Sequence, residues 1–94
     1  MKTMFTYILT NDQRTTLYVG VTNSLKRRVM EHREGRTEGF TKRYRLHVLV
    51  YYEVHGRPAD AILREKQLKK LGRAEKVRLI GAMNPGWKDL FESI

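Results

Sequence analysis

Residues 46–54 read LHVLVYYEV, a run in which both alternating sets of side chains are largely apolar or aromatic. Successive side chains of a β-strand point to opposite faces of the sheet, so a strand with one wet face shows apolar and polar residues in turn. This run therefore predicts a strand that is covered on both faces, and we expect it to be the central strand of its sheet. A chain that contains such a strand needs other elements on both sides of the sheet.

The segments around this run supply those elements. Residues 4–10 and 16–22 are rich in β-branched and aromatic side chains and flank a short polar turn, which predicts an antiparallel hairpin. Glycine and proline punctuation predicts a polar loop over 36–43 and helices over 25–34, 58–71 and 73–83. The expected fold is a single mixed α/β domain over residues 1–94, of order β-β-α-β-α-α, with a central three-stranded, largely antiparallel sheet flanked by helices.

Positive charge is the feature of the composition that bears most directly on function. The chain has 19 Lys and Arg against 10 Asp and Glu, which gives a net charge of +9 in only 94 residues. The cations are clustered in residues 26–28, 33–36, 42–45 and 66–76. Such a balance favours a polyanionic partner, nucleic acid first and an anionic membrane surface second, although a basic and merely soluble protein is the alternative.

Two further properties of the sequence narrow the class of protein. There is no cysteine, which excludes disulfides and thiolate metal sites and fits a cytoplasmic protein. No apolar stretch approaches the roughly 20 residues that a membrane span needs, and Met1 does not begin a signal peptide. Because the cations are spread over several elements instead of one amphipathic face, we expect no membrane partner.

The first predicted helix carries two polar residues beside an apolar stripe. Arg28 and His32 are four residues apart and therefore project from the same face. Leu25 and Val29 share most of that arc and are expected to be its buried side. A half-buried guanidinium usually binds an anion, either a carboxylate or a phosphate. The alternative is that Arg28 reaches solvent along its stem and His32 lies at the rim of the core.

A carboxylate occupies a similar position on the second predicted helix. Ala61, Ile62, Leu68 and Leu71 form its apolar arc, and Glu65 lies on or beside that arc. An unpaired carboxylate there would cost several kcal/mol, so Glu65 needs a cation. Two partners are open at this point: a structural salt bridge to Arg28, or a divalent metal completed by water and phosphate oxygens.

The two predicted hairpin strands carry two tyrosines and a glycine. Tyr7 and Tyr18 lie in paired strands, where both could be ordinary cross-strand aromatics. Gly20 stands in the middle of its strand, where glycine weakens a sheet unless another group approaches closely. We expect the backbone or a substrate to make that approach.

Taken in order, these residues resemble the GIY-YIG nuclease superfamily. Thr6-Tyr7-Ile8 is followed by Tyr18-Val19-Gly20, then by Arg28 ten residues after the second tyrosine, and by Glu65 on a later helix. The phrases GFTKRY at 39–44, AILREKQLKK at 61–70 and NPGW at 84–87 are similar to its small single-domain bacterial branch, the URI-type endonucleases. The first triplet departs from the family's Gly-Ile-Tyr, and Val21 stands where some relatives carry lysine.

The resemblance implies an endonuclease that hydrolyses phosphodiester bonds with one divalent metal, Mg²⁺ or Mn²⁺. Tyr7, Tyr18, Arg28, His32 and Glu65 match the catalytic positions, with Glu65 as the metal ligand. The metal would polarise the phosphate, Arg28 would neutralise developing charge, and Tyr7 or Tyr18 would serve as general base.

The resemblance also implies a nucleic-acid partner, with DNA expected. The residues expected to contact it are Lys26, Arg27, Lys42, Arg43, Lys69 and Asn84. The competing hypothesis is a non-catalytic nucleic-acid-binding module that keeps the fold and the positive surface. Binding alone requires cations but no buried glutamate, which favours the enzyme.

Overall fold

A computed structural model describes residues 3–37 and 39–94 of the chain. Residues 1 and 2 of the predicted domain, and Glu38 of the predicted loop, lie outside the described residues. The elements are β1 (Met4–Thr10), β2 (Leu17–Thr22), α1 (Leu25–Arg33), α2 (Phe40–Arg43), β3 (Val48–His55), α3 (Pro58–Lys70), α4 (Arg73–Met83) and a short 3₁₀ helix (Leu90–Ser93). The mixed α/β class and the predicted order are confirmed, with two short helices added.

The three strands form one antiparallel sheet in the order β2-β1-β3. The predicted hairpin is β1 and β2, paired from Phe5 and Thr22 to Thr10 and Leu17. The prediction that residues 46–54 form the central strand is wrong, because β1 is central and β3 is an edge. The run is apolar on both sides because residues 48–51 are buried against a core on each face of the sheet.

Side chains of β1 alternate between these two cores. Tyr7 and Leu9 pack with Leu25 and Val29 of α1, and we call this side of the sheet the α1 face. Ile8 packs on the opposite side, which we call the α3 face, with residues of β3, α3 and α4. A shift of register by one residue would exchange the two sets, so the period of two in β1 decides which residues share the α1 face.

The remaining helices close both faces. Buried Ala61 and Leu68 hold α3 on the sheet, whereas Ile62, which was expected in the same arc, is 44% exposed. Trp87 packs the chain after α4 against the α3-face core, as its size predicts. No helix in the described part of the chain combines the length and apolar character needed to cross a membrane.

The helix α2 was not predicted, since four residues are too few to show helical periodicity. It lies within the expected loop and follows Gly39, which has a positive φ of 87°. Its one buried residue is Thr41. Through the Thr41 side chain, α2 is attached to the protein near the end of α1.

Candidate active site

Tyr7 of the central strand β1 lies directly opposite Gly20 of the edge strand β2. A Cβ added at Gly20 would lie 2.5 Å from both Cζ and the hydroxyl oxygen of Tyr7, a distance that side chains do not tolerate. The close approach predicted at Gly20 therefore exists, but the approaching group is the Tyr7 ring, not the backbone or a substrate. The glycine lets a tyrosine lie across the β2 backbone and direct its phenol toward α1.

The phenol of Tyr7 meets His32, which α1 places over the same face. The Tyr7 hydroxyl oxygen and Nε2 of His32 are 3.3 Å apart. The Tyr18 ring approaches His32 edge-on, with the ring centroids 6.0 Å apart. His32 is only 7% exposed. The two motif tyrosines and the histidine therefore form one contiguous cluster, and His32 is not a rim residue.

The other ring nitrogen of His32 is also occupied. Nδ1 lies 3.0 Å from the hydroxyl of Thr37, which in turn lies 3.0 Å from the hydroxyl of Thr41 in α2. Burial, and next the positive charge of Arg28, lower the pKa of His32 from 6.5 to about 4. At neutral pH the ring is uncharged and carries one proton. If the Tyr7 phenol donates to Nε2, that proton is on Nδ1 and donates to Thr37.

Burial also controls the phenol. It raises the pKa of Tyr7 to about 12, and the Arg28 guanidinium only partly opposes that effect. The Tyr7 contact raises the pKa of Arg28 in return. Tyr7 is therefore protonated at neutral pH in the protein alone, and a role as general base requires an acceptor for its proton.

Arg28 lies at the open side of this cluster. Its side chain is 41% exposed, and Nη1 is 3.1 Å from Oε1 of Glu31 on the same helix. Glu31 also lies 4.0 Å from Nε of Arg27, so one carboxylate serves two guanidinium groups. An exposed cation that is only partly neutralised, beside a phenol and a neutral imidazole, suits an incoming phosphate.

Glu65 has a different setting. Its side chain is 18% exposed, and Oε2 lies 3.3 Å from Nζ of Lys69, one turn along α3. The structural alternative, a salt bridge between Glu65 and Arg28, is wrong, because the described carboxylate that pairs with Arg28 is Glu31. None of the hydrogen bonds or ion pairs among residues 3–37 and 39–94 joins Glu65 to the Tyr7–His32 cluster.

The donor set around Glu65 limits the kind of metal site. No three His, Asp or Glu side chains of the described residues are grouped as metal ligands. A single carboxylate is nevertheless sufficient for Mg²⁺, which keeps most of its water and is often completed by substrate phosphates. Glu65 therefore fits a lone-carboxylate site and does not fit a site built by protein ligands alone.

The residues expected to bind nucleic acid divide into two groups. The cations are exposed on three elements: Lys26, Arg27, Lys42, Arg43 and Lys69. Asn84 is 5% exposed, and its amide nitrogen donates to the carbonyls of Val50 and Lys88 at 3.1 and 2.8 Å. Its oxygen accepts from the backbone of Lys88 at 3.1 Å. The structure thus places Asn84 inside the protein, where it ties the C-terminal segment to β3.

Comparison with known proteins identifies the family. The sequence model of the family described as "GIY-YIG catalytic domain" matches residues 3–78. The chain belongs to the GIY-YIG family. It is a nuclease family, so nucleic acid is the substrate class that it implies, and the resemblance seen in the sequence is confirmed.

Relatives within this GIY-YIG family are small single-domain proteins. A UPF0213 protein of Syntrophus aciditrophicus is 37% identical over 81 residues, which cover 85% of this chain and 92% of the relative. A UPF0213 protein of Staphylococcus haemolyticus is 34% identical over 65 residues, covering 69% and 79%. The solution structure of a UPF0213 protein of Bacillus halodurans shares the fold, with a TM-score of 0.59, 23% identity and coverage of 93% and 92%.

Three residues of this GIY-YIG site were missed by sequence reasoning. Glu31 could have been found, since its spacing of three from Arg28 is typical of helical ion pairs. Thr37 and Thr41 gave no signal, because both lie in a predicted polar loop whose path the sequence does not determine. Only the fold brings their hydroxyls to His32.

Proposed function

We propose that this GIY-YIG protein is a metal-dependent endonuclease that hydrolyses phosphodiester bonds in nucleic acid, with DNA as the preferred polymer. The observation that carries the proposal is the contact between the Tyr7 phenol and a buried, neutral His32, beside the exposed Arg28. A cluster that served only stability would not require the guanidinium of Arg28 to be accessible to solvent beside His32. Residues 1–94 form the whole catalytic domain in this proposal, and a cytoplasmic location stays a prediction from the sequence.

Arg28 is the residue that stabilises charge on the scissile phosphate. Its guanidinium turns from Glu31 to the phosphate oxygens, where a second anion competes for the same donors. Hydrogen bonds from a guanidinium strengthen as negative charge grows on these oxygens in the transition state. Arg28 therefore acts mainly on the rate of the chemical step.

Tyr7 and His32 form the path for the proton of the attacking water. The water transfers its proton to the Tyr7 oxygen while the phenol proton passes to Nε2 of His32, which is vacant in the tautomer that carries its proton on Nδ1. This route avoids a free phenolate, which a pKa of about 12 would make rare at neutral pH. Burial and Arg28 disfavour the imidazolium in the protein alone, so the route requires the negative charge of the bound phosphate beside His32. Tyr18, which is more exposed than Tyr7, lines the same cluster and positions the substrate.

Glu65 is the residue proposed to hold Mg²⁺ or Mn²⁺, with Lys69 released toward phosphate. When bound, such an ion supplies Lewis-acid stabilisation of the phosphate and of the leaving 3′-oxygen. Lys26, Arg27, Lys42, Arg43 and Lys69 contact the backbone of the nucleic acid in this proposal. Asn84, expected from the resemblance to contact it as well, is buried with its amide bonded to Val50 and Lys88 and is left out of the interface.

The variant Glu65→Gln tests this function, because it removes the charge and keeps the shape. Cleavage should disappear with either metal. The melting temperature should change little, since the one ion pair that is lost is to the half-exposed Lys69, and a pair with a solvated partner is worth at most about 1 kcal/mol. The assay compares single-stranded, duplex and flapped DNA and the matching RNA in Mg²⁺, in Mn²⁺ and in EDTA. Glu75→Gln, which removes an exposed carboxylate from α4, is the matched control and should keep its activity.

Two results would overturn the proposal. Full metal-dependent cleavage by Glu65→Gln would exclude Glu65 as the ligand. A wild-type protein that binds every substrate and cleaves none with either metal would be a nucleic-acid-binding module.

A further inference from the structure

The short helix α2 carries its aromatic side chains on the outside. Phe40 is 49% exposed and Tyr44 is 44% exposed. Their ring centroids are 4.6 Å apart, so the two rings contact each other in solvent instead of entering the core. Thr41, between them in sequence, is 5% exposed. This pattern is the reverse of ordinary burial, in which aromatic rings are covered and threonine is mostly exposed.

Positive charge surrounds the aromatic pair. The guanidinium carbon of Arg43 lies 5.6 Å from the centroid of the Tyr44 ring, within the range of a cation–π contact. Lys42, just before Arg43 in the sequence, and Arg45, just after Tyr44, are also exposed. Aromatic faces interleaved with cations are the combination that proteins use to bind unpaired nucleotides, since rings stack on bases and cations hold phosphates.

A groove that does not include the two rings lies between their neighbours in sequence, Thr41, Lys42 and Arg45, and His32 of the candidate active site. It has a volume of about 360 Å³ and lies between the end of α1 and α2, with Arg33, Lys42 and Arg45 among its lining residues. His32 also lines it. Because the Thr41 and Thr37 hydroxyls link α2 to His32 at 3.0 Å each, the aromatic pair is held at a fixed place beside the catalytic cluster.

We propose that Phe40 and Tyr44 form a stacking platform for unpaired bases next to the scissile phosphate. That the platform directs cleavage rests on the proposed nuclease function. That it binds unpaired bases does not. Bases in a duplex are stacked on one another and present no free face, so such a platform selects nucleic acid with a single-stranded segment. The substrate class is therefore DNA with a tail, flap or gap, bound so that the unpaired bases lie on α2.

The test measures binding in EDTA, where cleavage does not interfere. Fluorescence anisotropy compares a labelled single strand of thymidines, a blunt duplex and the same duplex with a thymidine tail. The double variant Phe40→Ala/Tyr44→Ala should weaken binding of the single strand and the tailed duplex by roughly 5- to 150-fold for each base that loses its stacking partner. Binding of the blunt duplex should change less than about twofold.

A matched control uses another pair of exposed apolar side chains. Ile62 and Leu63 are 44% and 57% exposed on α3, away from the groove. The variant Ile62→Ala/Leu63→Ala should bind all three substrates as the original protein does. Phe40→Leu/Tyr44→Leu keeps apolar volume and removes the rings, and it should show the same selective loss even where the alanine variant melts at a lower temperature.

Three results would overturn the platform: an equal loss on the single strand and the blunt duplex, no loss on either, or a change in oligomeric state with the alanine variant. Such results leave the nuclease proposal standing if wild-type cleavage still requires Glu65. A selective loss of single-strand binding by a protein that never cleaves would support the platform and overturn the nuclease instead.

Discussion

Each face of the sheet carries a tyrosine beside an arginine, and the two groups differ in how their charges are compensated. On the α3 face, Nε of Arg64 donates to Oε1 of Glu53 at 2.9 Å and Nη2 donates to Oε2 at 3.0 Å. The Tyr51 phenol donates to the same carboxylate. On the α1 face, Arg28 has one hydrogen bond to Glu31, while Tyr7 meets a neutral imidazole.

The tyrosines of both groups have a pKa raised to about 12, with burial as the largest cause. At both tyrosines an arginine opposes that effect and a carboxylate adds to it. After burial the larger contribution comes from the carboxylate Glu53 at Tyr51 and from Arg28 at Tyr7. The α3-face group has a carboxylate for its cation and is complete as it stands. In the α1-face group, Arg28 shares its one carboxylate, Glu31, with Arg27, and a bound phosphate would supply a second anion. A perturbed pKa by itself therefore does not separate a site from a structural network, but the balance of charge does.

The largest expected effect comes from removing the arginine of the α1 face. Arg28→Ala should lower the rate of cleavage by roughly 10²- to 10³-fold, because the charge that grows on the phosphate loses its donor. Affinity for nucleic acid should change little, since many other cations hold the backbone. Single-turnover rates and binding in EDTA, measured on the same substrate, separate the two quantities. A collapse of affinity with normal turnover of the bound complex would reduce Arg28 to a backbone contact.

Acid should affect the α1 face before the α3 face. Since the pKa of His32 is about 4 in the folded protein against 6.5 ordinarily, the unfolded chain binds one more proton between these values. The free energy of unfolding should therefore fall as pH falls from 6.5 to 4, by about 3 kcal/mol in total from this residue. Denaturant melts at several pH values measure it. His32→Gln should lose most of this slope, and His47→Gln, a change at a more exposed histidine, should retain it.

Glu53 titrates in a separate window. Burial raises its pKa, but hydrogen bonds from Arg64 and Tyr51 outweigh burial and lower the pKa below the ordinary 4.5. The stability that this carboxylate contributes is present above pH 4.5 and is lost as pH falls through its folded pKa. A slope between pH 6.5 and 4.5 that persists in His32→Gln would contradict the assignment.

The smallest expected effect concerns stability alone. Arg64→Ala should lower the free energy of unfolding by about 2 kcal/mol, because it leaves the half-buried Glu53 without its charged donor. Cleavage per folded molecule should not change, since the Arg64 guanidinium is held by Glu53 and is not one of the residues proposed to bind the phosphate or the metal. Thermal melts and initial rates give the two values, and Arg57→Ala, at an exposed arginine just before α3, should be silent in both. If Arg64→Ala lost activity with an unchanged melting temperature, Arg64 would be a functional residue and the contrast between the two groups would be wrong.

The sequence by itself determined the three strands and the three longer helices. Strand and helix patterns are local, so β1 and α4 were predicted with their observed bounds. The catalytic roles expected of Tyr7, Tyr18, Arg28 and Glu65 came from the resemblance to the family, and they stay predictions. Leu25 and Val29 are buried as the helical arc of α1 requires.

Tertiary structure alone decided which strand is central, what occupies the space over Gly20 and which partner each charge takes. Residues 46–54 show that both faces of a strand are covered, but an edge strand between two cores has the same pattern as a central one. Arg28 pairs with Glu31 and Glu65 with Lys69, although the sequence permitted a bridge between Arg28 and Glu65. Side-chain period reports the face on which a residue lies, whereas contacts between elements depend on the path of the whole chain.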